Sequence, residues 1–181
     1  SWTANISGSV YGKIIQKMED EKKISHYPYD PGYPVDCYFD LGISDQTVIL
    51  FTQQIGRAFY VIDCYANSNQ SLDHYADYVK KTGYNIRNYV FPHDIEQREL
   101  STGHSRKEYA FSMGMRPIKV CPKLPIEDGI HAGQILLAKT YIDRSNCKPF
   151  LDAMKWYHRK YMDKDKTFSR PVHDWSSHFA D

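Results

Sequence analysis

Residues 35–65 read VDCYFDLGISDQTVILFTQQIGRAFYVIDCY, and three apolar runs inside them decide the fold. The runs at 35–41, 47–52 and 58–65 are rich in Val, Ile, Phe and Tyr and are too short for stable helices. Gln54-Ile55-Gly56 separates the last two and carries the composition of a hairpin turn. Connections this short join neighbours, so the pattern predicts an antiparallel meander of three strands.

The elements on either side follow from the same rules. Ser71 has the chemistry of an N-cap, Leu72, Tyr75, Ala76 and Val79 recur at helical spacing, and Gly83 is a stop signal, which predicts a helix over 71–81. A fourth strand is expected at 88–92, ending at His93-Asp94. Ser105 and Glu108 have capping-box spacing for a helix ending near Gly114, and 116–121 reads as a fifth strand. Residues 126–139 and 147–161 look helical, the first through Ile130, Ile135, Leu136 and Leu137, the second through Phe150, Leu151, Met154 and Trp156. Upstream, 8–23 forms a helix with Val10, Ile14, Ile15 and Met18 on one side, and a Pro and Gly cluster at 28–34 marks a boundary. The expected fold class is α/β, a mixed five-stranded sheet flanked by helices, with 1–34 as a lead-in helix and linker and 35–181 as the domain.

At 181 residues, with 41% hydrophobic and 25% charged residues, the chain has the composition of one globular domain. It has no apolar run of the roughly 18 residues that a bilayer span needs, and SWTANISGSV has neither the basic nor the apolar region of a signal peptide, so a cytosolic location without membrane partners is expected. Cys37, Cys64, Cys121 and Cys147 never pair as C-x-x-C, which argues against a zinc site or a secreted disulfide framework and predicts reduced, mostly core thiols. A net charge of +1 gives no global attraction to nucleic acid, so DNA affinity has to come from local patches. Residues 155–170, KWYHRKYMDKDKTFSR, are the basic candidate, with a solvated helix end and loop as the alternative.

Two acids fall where strands end. Asp40 closes the first strand and Asp94 follows the fourth. If a meander is followed by parallel strands reached through helical crossovers, the first and fourth strands can lie side by side, bringing both acids to one edge. The last eleven residues, PVHDWSSHFAD, place Asp174, His178 and Asp181 at i, i+4 and i+7 of a helix, on one face, although Asp174 is equally suited to cap that helix. Gathered carboxylates repel unless a cation neutralises them, and a set of acids without paired lysines suits Mg²⁺ or Mn²⁺. Two such ions about 3.5–4 Å apart support in-line phosphodiester hydrolysis. Taken singly, each acid is an ordinary turn or loop residue; the joint pattern is what points to metal chemistry.

Several motifs go further. Gly8-Ser9-Val10-Tyr11, Asp40-Leu41-Gly42 with Asp45, Phe91-Pro92-His93-Asp94, Ser101-Thr102-Gly103, Asp128-Gly129-Ile130, and His173-Asp174 with Ser176-Ser177-His178-Phe179-Ala180-Asp181 occur in this order over nearly the whole chain. In them the chain resembles the C-terminal nuclease domain of the large terminase subunit of tailed bacteriophages, which has an RNase H-like fold. The resemblance implies Asp40, Asp94 and Asp181 as the catalytic, metal-binding acids, with Asp45, Asp174 and His178 as supporting members. It implies a double-strand endonuclease that cuts concatemeric viral DNA during packaging. Its partners would be duplex DNA, an ATPase domain, the small terminase subunit and the portal, and its location the host cytoplasm at the procapsid. No G-x-x-x-x-G-K-[ST] loop occurs, as expected for a nuclease domain without its ATPase half. One departure is Gln134, where the resemblance leads one to expect an arginine. Two other readings stay open: a DNA-gripping or portal-docking module, and another RNase H-like nuclease such as a junction resolvase.

Overall fold

The computed structural model describes residues 9–41, 46–156, 159–162 and 167–171. In chain order these form α1 (Gly12–Asp20), β1 (Ile24–Ser25), β2 (Val35–Asp40), β3 (Gln46–Ile55), β4 (Ala58–Ser68), α2 (Leu72–Thr82) and β5 (Ile86–Phe91). A single 3-10 turn at His93–Glu96 leads to α3 (Arg106–Ser112), β6 (Ile118–Val120), α4 (Ile126–Leu137), β7 (Thr140–Asp143), α5 (Lys148–Trp156), β8 (Arg159–Met162) and β9 (Thr167–Pro171). Seven strands make one sheet in the order β1-β7-β4-β3-β2-β5-β6, and β8 and β9 form a separate hairpin.

The meander is present as expected. β2 pairs antiparallel with β3, and β3 with β4, while β5 adds to the free edge of β2 in parallel, and β6 to β5. Gly56, at φ +63°, supplies the left-handed residue that the β3–β4 turn requires. Gly83, at φ +70°, ends α2, and Ser105 with Glu108 forms the predicted capping box at α3.

Strand alternation sends side chains to two cores. One lies beneath α1, α4 and α5 and contains Ile15, Met18, Val48, Val61, Ile130, Leu137, Phe150 and Met154. The other lies beneath α2 and α3 and contains Cys37, Phe39, Ile49, Phe51, Val79, Phe91 and Ala110. Burial of both faces explains why the strands are near-continuous apolar runs.

Three expectations change. The sheet has seven strands rather than five because β1 and β7, of two and four residues, are too short to show a period. β1 pairs in parallel with β7, which pairs with β4. The helix expected to reach residue 161 ends at Trp156, and the basic stretch continues into the β8–β9 hairpin. On α4, Ile130 and Leu137 are buried, but Ile135 and Leu136 are about half exposed. A Cβ at Gly133 would stand 3.1 Å from the Tyr11 hydroxyl.

Residues 12–25 belong to the same sheet and core as the rest, through α1 and β1. The Pro and Gly cluster is held down by the buried Gln53 of β3. Its amide nitrogen donates to the carbonyls of Asp30 and Tyr33 at 2.8 Å each, and its Oε1 accepts from the Asp30 N–H at 3.0 Å.

Phe39 and Phe91 stack at 4.4 Å between centroids and 19° between planes, joining the ends of β2 and β5. Phe91 is fully buried, so Phe91→Ala should cost about 3–5 kcal/mol. Leu100→Ala, at a fully exposed position, should change stability by no more than about 0.5 kcal/mol. Denaturant midpoints of the two variants check both values.

Candidate functional site

The stacked pair Phe39 and Phe91 sits at the carboxyl ends of two strands that run in parallel, with Tyr38 opposite Val90 in the register. One residue beyond Phe39, alternation turns Asp40 to the other face, where it lines a cavity of about 330 Å³ with Pro92, Cys121, Gly129 and Leu136. Its Oδ2 is shut off from solvent. Beyond Phe91 the chain turns at Pro92 into the 3-10 turn that carries Asp94, anchored by the fully buried Ile95. The Ile95 N–H donates to the Pro92 carbonyl at 3.1 Å and the Gln97 N–H to the Asp94 carbonyl at 3.1 Å. The imidazole Nε2 of His93 lies 2.8 Å from Oδ1 of Asp94, with both side chains about half exposed.

Asp40 and Asp94 therefore close adjoining strands. Asp45, Asp174, His178 and Asp181 lie outside the described residues, as does the helix expected at 171–181 beyond Pro171. Among the described residues, no three His, Cys, Asp or Glu side chains come together as a metal cage. Several described residues of the other motifs make structural contacts. Ser9 Oγ accepts from the Gly12 N–H at 2.9 Å, and Tyr11 is buried. Gly103 sits in a turn at φ +69°. Gln134 donates to the Val10 carbonyl at 3.3 Å, tying α4 to the segment before α1. Cys37, Cys64 and Cys147 are buried as expected, but Cys121 is exposed beside Asp40.

Sequence reasoning missed a second acid on β2. Asp36 is buried, and Arg87 grips it with Nε to Oδ1 at 3.1 Å and Nη2 to Oδ2 at 2.6 Å, while Asn88 Nδ2 donates to Oδ1 at 2.9 Å. A shift of register between Val35 and Asp36 brings two β5 residues, Arg87 and Asn88, to this one carboxylate. Burial alone would raise the Asp36 carboxyl, but the hydrogen bonds from Arg87 and Asn88 outweigh it and hold the group below the usual range. An aspartate in an apolar strand beside a later Arg-Asn pair was the available signal, yet no local spacing links residues 36 and 87.

No family model matches the chain, and no curated protein matches it either. Solved structures do. A large terminase from a thermophilic bacteriophage superimposes with a TM-score of 0.66 at 15% identity, over 91% of this chain and 42% of that one. The nuclease domain of the P22 large terminase gives 0.62 at 18% identity, over 88% and 86%. The large terminase nuclease of thermophilic phage G20c with bound magnesium gives 0.60 at 14% identity, over 97% and 95%. The chain has the fold of large terminase nuclease domains, the family its motifs resemble, and spans less than half the length of the first of these three proteins.

The depressed Asp36 carboxyl contributes stability that is present above its unfolded-state value, about 3.9, and is lost as pH falls through its lower folded-state value. Asp36→Asn should therefore weaken the protein at neutral pH and flatten its loss of stability below about pH 4. Urea midpoints across that range check it, and an acid profile parallel to the parent's would count against the assignment.

Proposed function

We propose that this chain is the nuclease domain of a viral DNA-packaging motor, a metal-dependent endonuclease that cuts concatemeric double-stranded DNA by phosphodiester hydrolysis. The observation that carries this reading is the pair of acids at the carboxyl ends of β2 and β5, Asp40 and Asp94, in a fold shared with large terminase nuclease domains.

Carboxylate oxygens are the hard donors that Mg²⁺ and Mn²⁺ prefer, so the two acids fit such an ion chemically. Asp40 and Asp94 would hold it together with Asp181, and Asp45, Asp174 and His178 would support them. When bound, a pair of divalent ions activates water and stabilises the leaving oxygen of an in-line displacement. The protein's part is to hold its ligands still. The Phe39–Phe91 stack fixes the two strand ends, and the His93 contact at 2.8 Å orients the Asp94 carboxylate. His93 and His178 are the side chains suited to a proton-transfer role. In the full-length protein the domain would work with an ATPase domain, the small terminase subunit and the portal, in the host cytoplasm at the procapsid. No described helix is long and apolar enough to cross a membrane.

Supercoiled plasmid should be nicked and linearised in Mg²⁺ or Mn²⁺ and left intact in EDTA. Asp40→Ala, Asp94→Ala and Asp181→Ala should each lower the rate by about 100-fold or more while thermal melts stay close to the parent's. Parent-level cutting by Asp40→Ala would defeat the site assignment. DNA binding without metal-dependent turnover would point to a gripping or docking module, and a preference for four-way junctions over linear duplex to a resolvase.

A further inference from the structure

Next to Asp40, the face of β2, β5 and β6 combines buried Asp36 and Val90 with the exposed side chains of Tyr38, Lys119 and Cys121. Side chains two apart on a strand share a face, so Asp36, Tyr38 and Asp40 stand in line over about 13 Å, at roughly 3.3 Å per residue. The register extends this line into rows across three strands. Asp36 lies opposite Asn88, Tyr38 opposite Val90, and Val90 opposite Lys119. Cys121 follows, with its N–H on the Phe91 carbonyl at 2.8 Å. Tyr38 is 39% exposed, and Lys119 and Cys121 are exposed.

Arg87 is the unusual member. Two of its five N–H groups are spent on Asp36, and the guanidinium is otherwise accessible, with 44% of the side chain exposed. The two contacts between Arg87 and the buried Asp36 carboxylate fix the position of the guanidinium as well as stabilising the strands that carry them. Clamped by Asp36, the guanidinium keeps its orientation and loses little entropy on meeting a ligand. The local shift of register that brings Arg87 to Asp36 is the kind of irregularity that re-aims a side chain beside a site. On the opposite side of Asp40 the cavity wall is mostly apolar, with Val48, Leu50, Val61, Phe150 and Met154, and carries no charged side chain.

We infer that Arg87, Lys119 and Tyr38 form a track that holds the phosphate backbone of duplex DNA along β2 and leads it to Asp40. The inference rests on the nuclease reading above. Arg87 presents its remaining N–H groups to phosphate oxygens, Lys119 adds a point charge one strand away on β6, and the Tyr38 hydroxyl donates from β2 on the other side. Asp36 does not repel the strand, because Arg87 and Asn88 already occupy its oxygens.

The test is fluorescence anisotropy of a labelled duplex of about 20 base pairs, in EDTA so that cutting cannot interfere, at salt concentrations from about 50 to 200 mM. Arg87→Gln and Lys119→Gln should each weaken binding by about 3- to 10-fold and each lower the slope of log K against log salt by about 0.9. Tyr38→Phe should weaken binding by a smaller factor and leave the slope unchanged. Lys80→Gln removes the same charge from α2 on the other layer and should leave affinity and slope at the parent's values. If Arg87→Gln melts early through loss of the Asp36 clamp, the exposed Lys119 carries the test alone. Parent affinity and slope in Lys119→Gln would overturn the track. A parent that binds no duplex at all would overturn the nuclease reading with it, whereas a parent that binds and cuts beside unaffected variants would overturn the track alone.

Discussion

The parallel pairing of β2 with β5 is the constraint on which the rest of this structure depends. A meander alone would leave β2 as a sheet edge, its carboxyl end facing solvent. β5, reached through α2, covers that edge and runs in the same direction, so two strand ends and the residues beyond them emerge side by side. Phe39 and Phe91 make the arrangement rigid from below. Because side chains alternate, the same step that buries Phe39 turns Asp40 toward the opposite layer, and one residue of slip would exchange them. The position of the acid is thus set by core packing and not by the acid itself.

Buried polar groups do the complementary job of fixing segments that lack a regular partner. Gln53 replaces a strand for the irregular chain near Asp30 and Tyr33. Asp143, at the end of β7, accepts from the Tyr27 N–H at 2.8 Å and from the Asn146 N–H at 3.0 Å, joining the segment after β1 to the start of α5. Each carries hydrogen bonds that offset its burial, as an interior polar group requires. Neither reaches the Asp40 side of the sheet, so their function is architectural. Asp36 differs from both in that its partner, Arg87, is only partly spent on it.

How much of this was legible in the sequence depended on the range of the signal. Elements announced by local chemistry were readable: the meander by its β-branched and aromatic runs, α2 by Ser71 and Gly83, α3 by Ser105 and Glu108. β1 and β7 were not, because two and four residues cannot display a period, and their existence is decided by pairing with each other and with β4. The buried face of α4 was misread for a related reason. Ile135 and Leu136 look like core residues in a hydropathy pattern but stand about half exposed, while Gly133, which packs against the buried Tyr11, carries no hydrophobic signal. Asp40 and Asp94 could be placed at neighbouring strand ends because each ends an apolar run. Asp36 was passed over because it sits inside one, and its partner lies 51 positions away.

Charge is where these threads meet. A net charge of +1 cannot draw a polyanion to the molecule as a whole, and a cluster of acids would repel it. A domain that is to bring DNA to carboxylates must keep the signs apart over short distances. On β2 the proposed track would meet this by position along a single strand: Asp40 at the tip, Tyr38 between, and Asp36 behind with its charge paired to Arg87 and its Oδ1 also bonded by Asn88. Lys119, two strands away in the same row as Tyr38, adds positive charge where no acid competes for it in the row. At physiological salt, with a screening length of about 8 Å, groups some 13 Å apart act almost independently. A strand of this length would therefore be enough to hold the proposed anion-binding stretch and cation-binding tip without either cancelling the other.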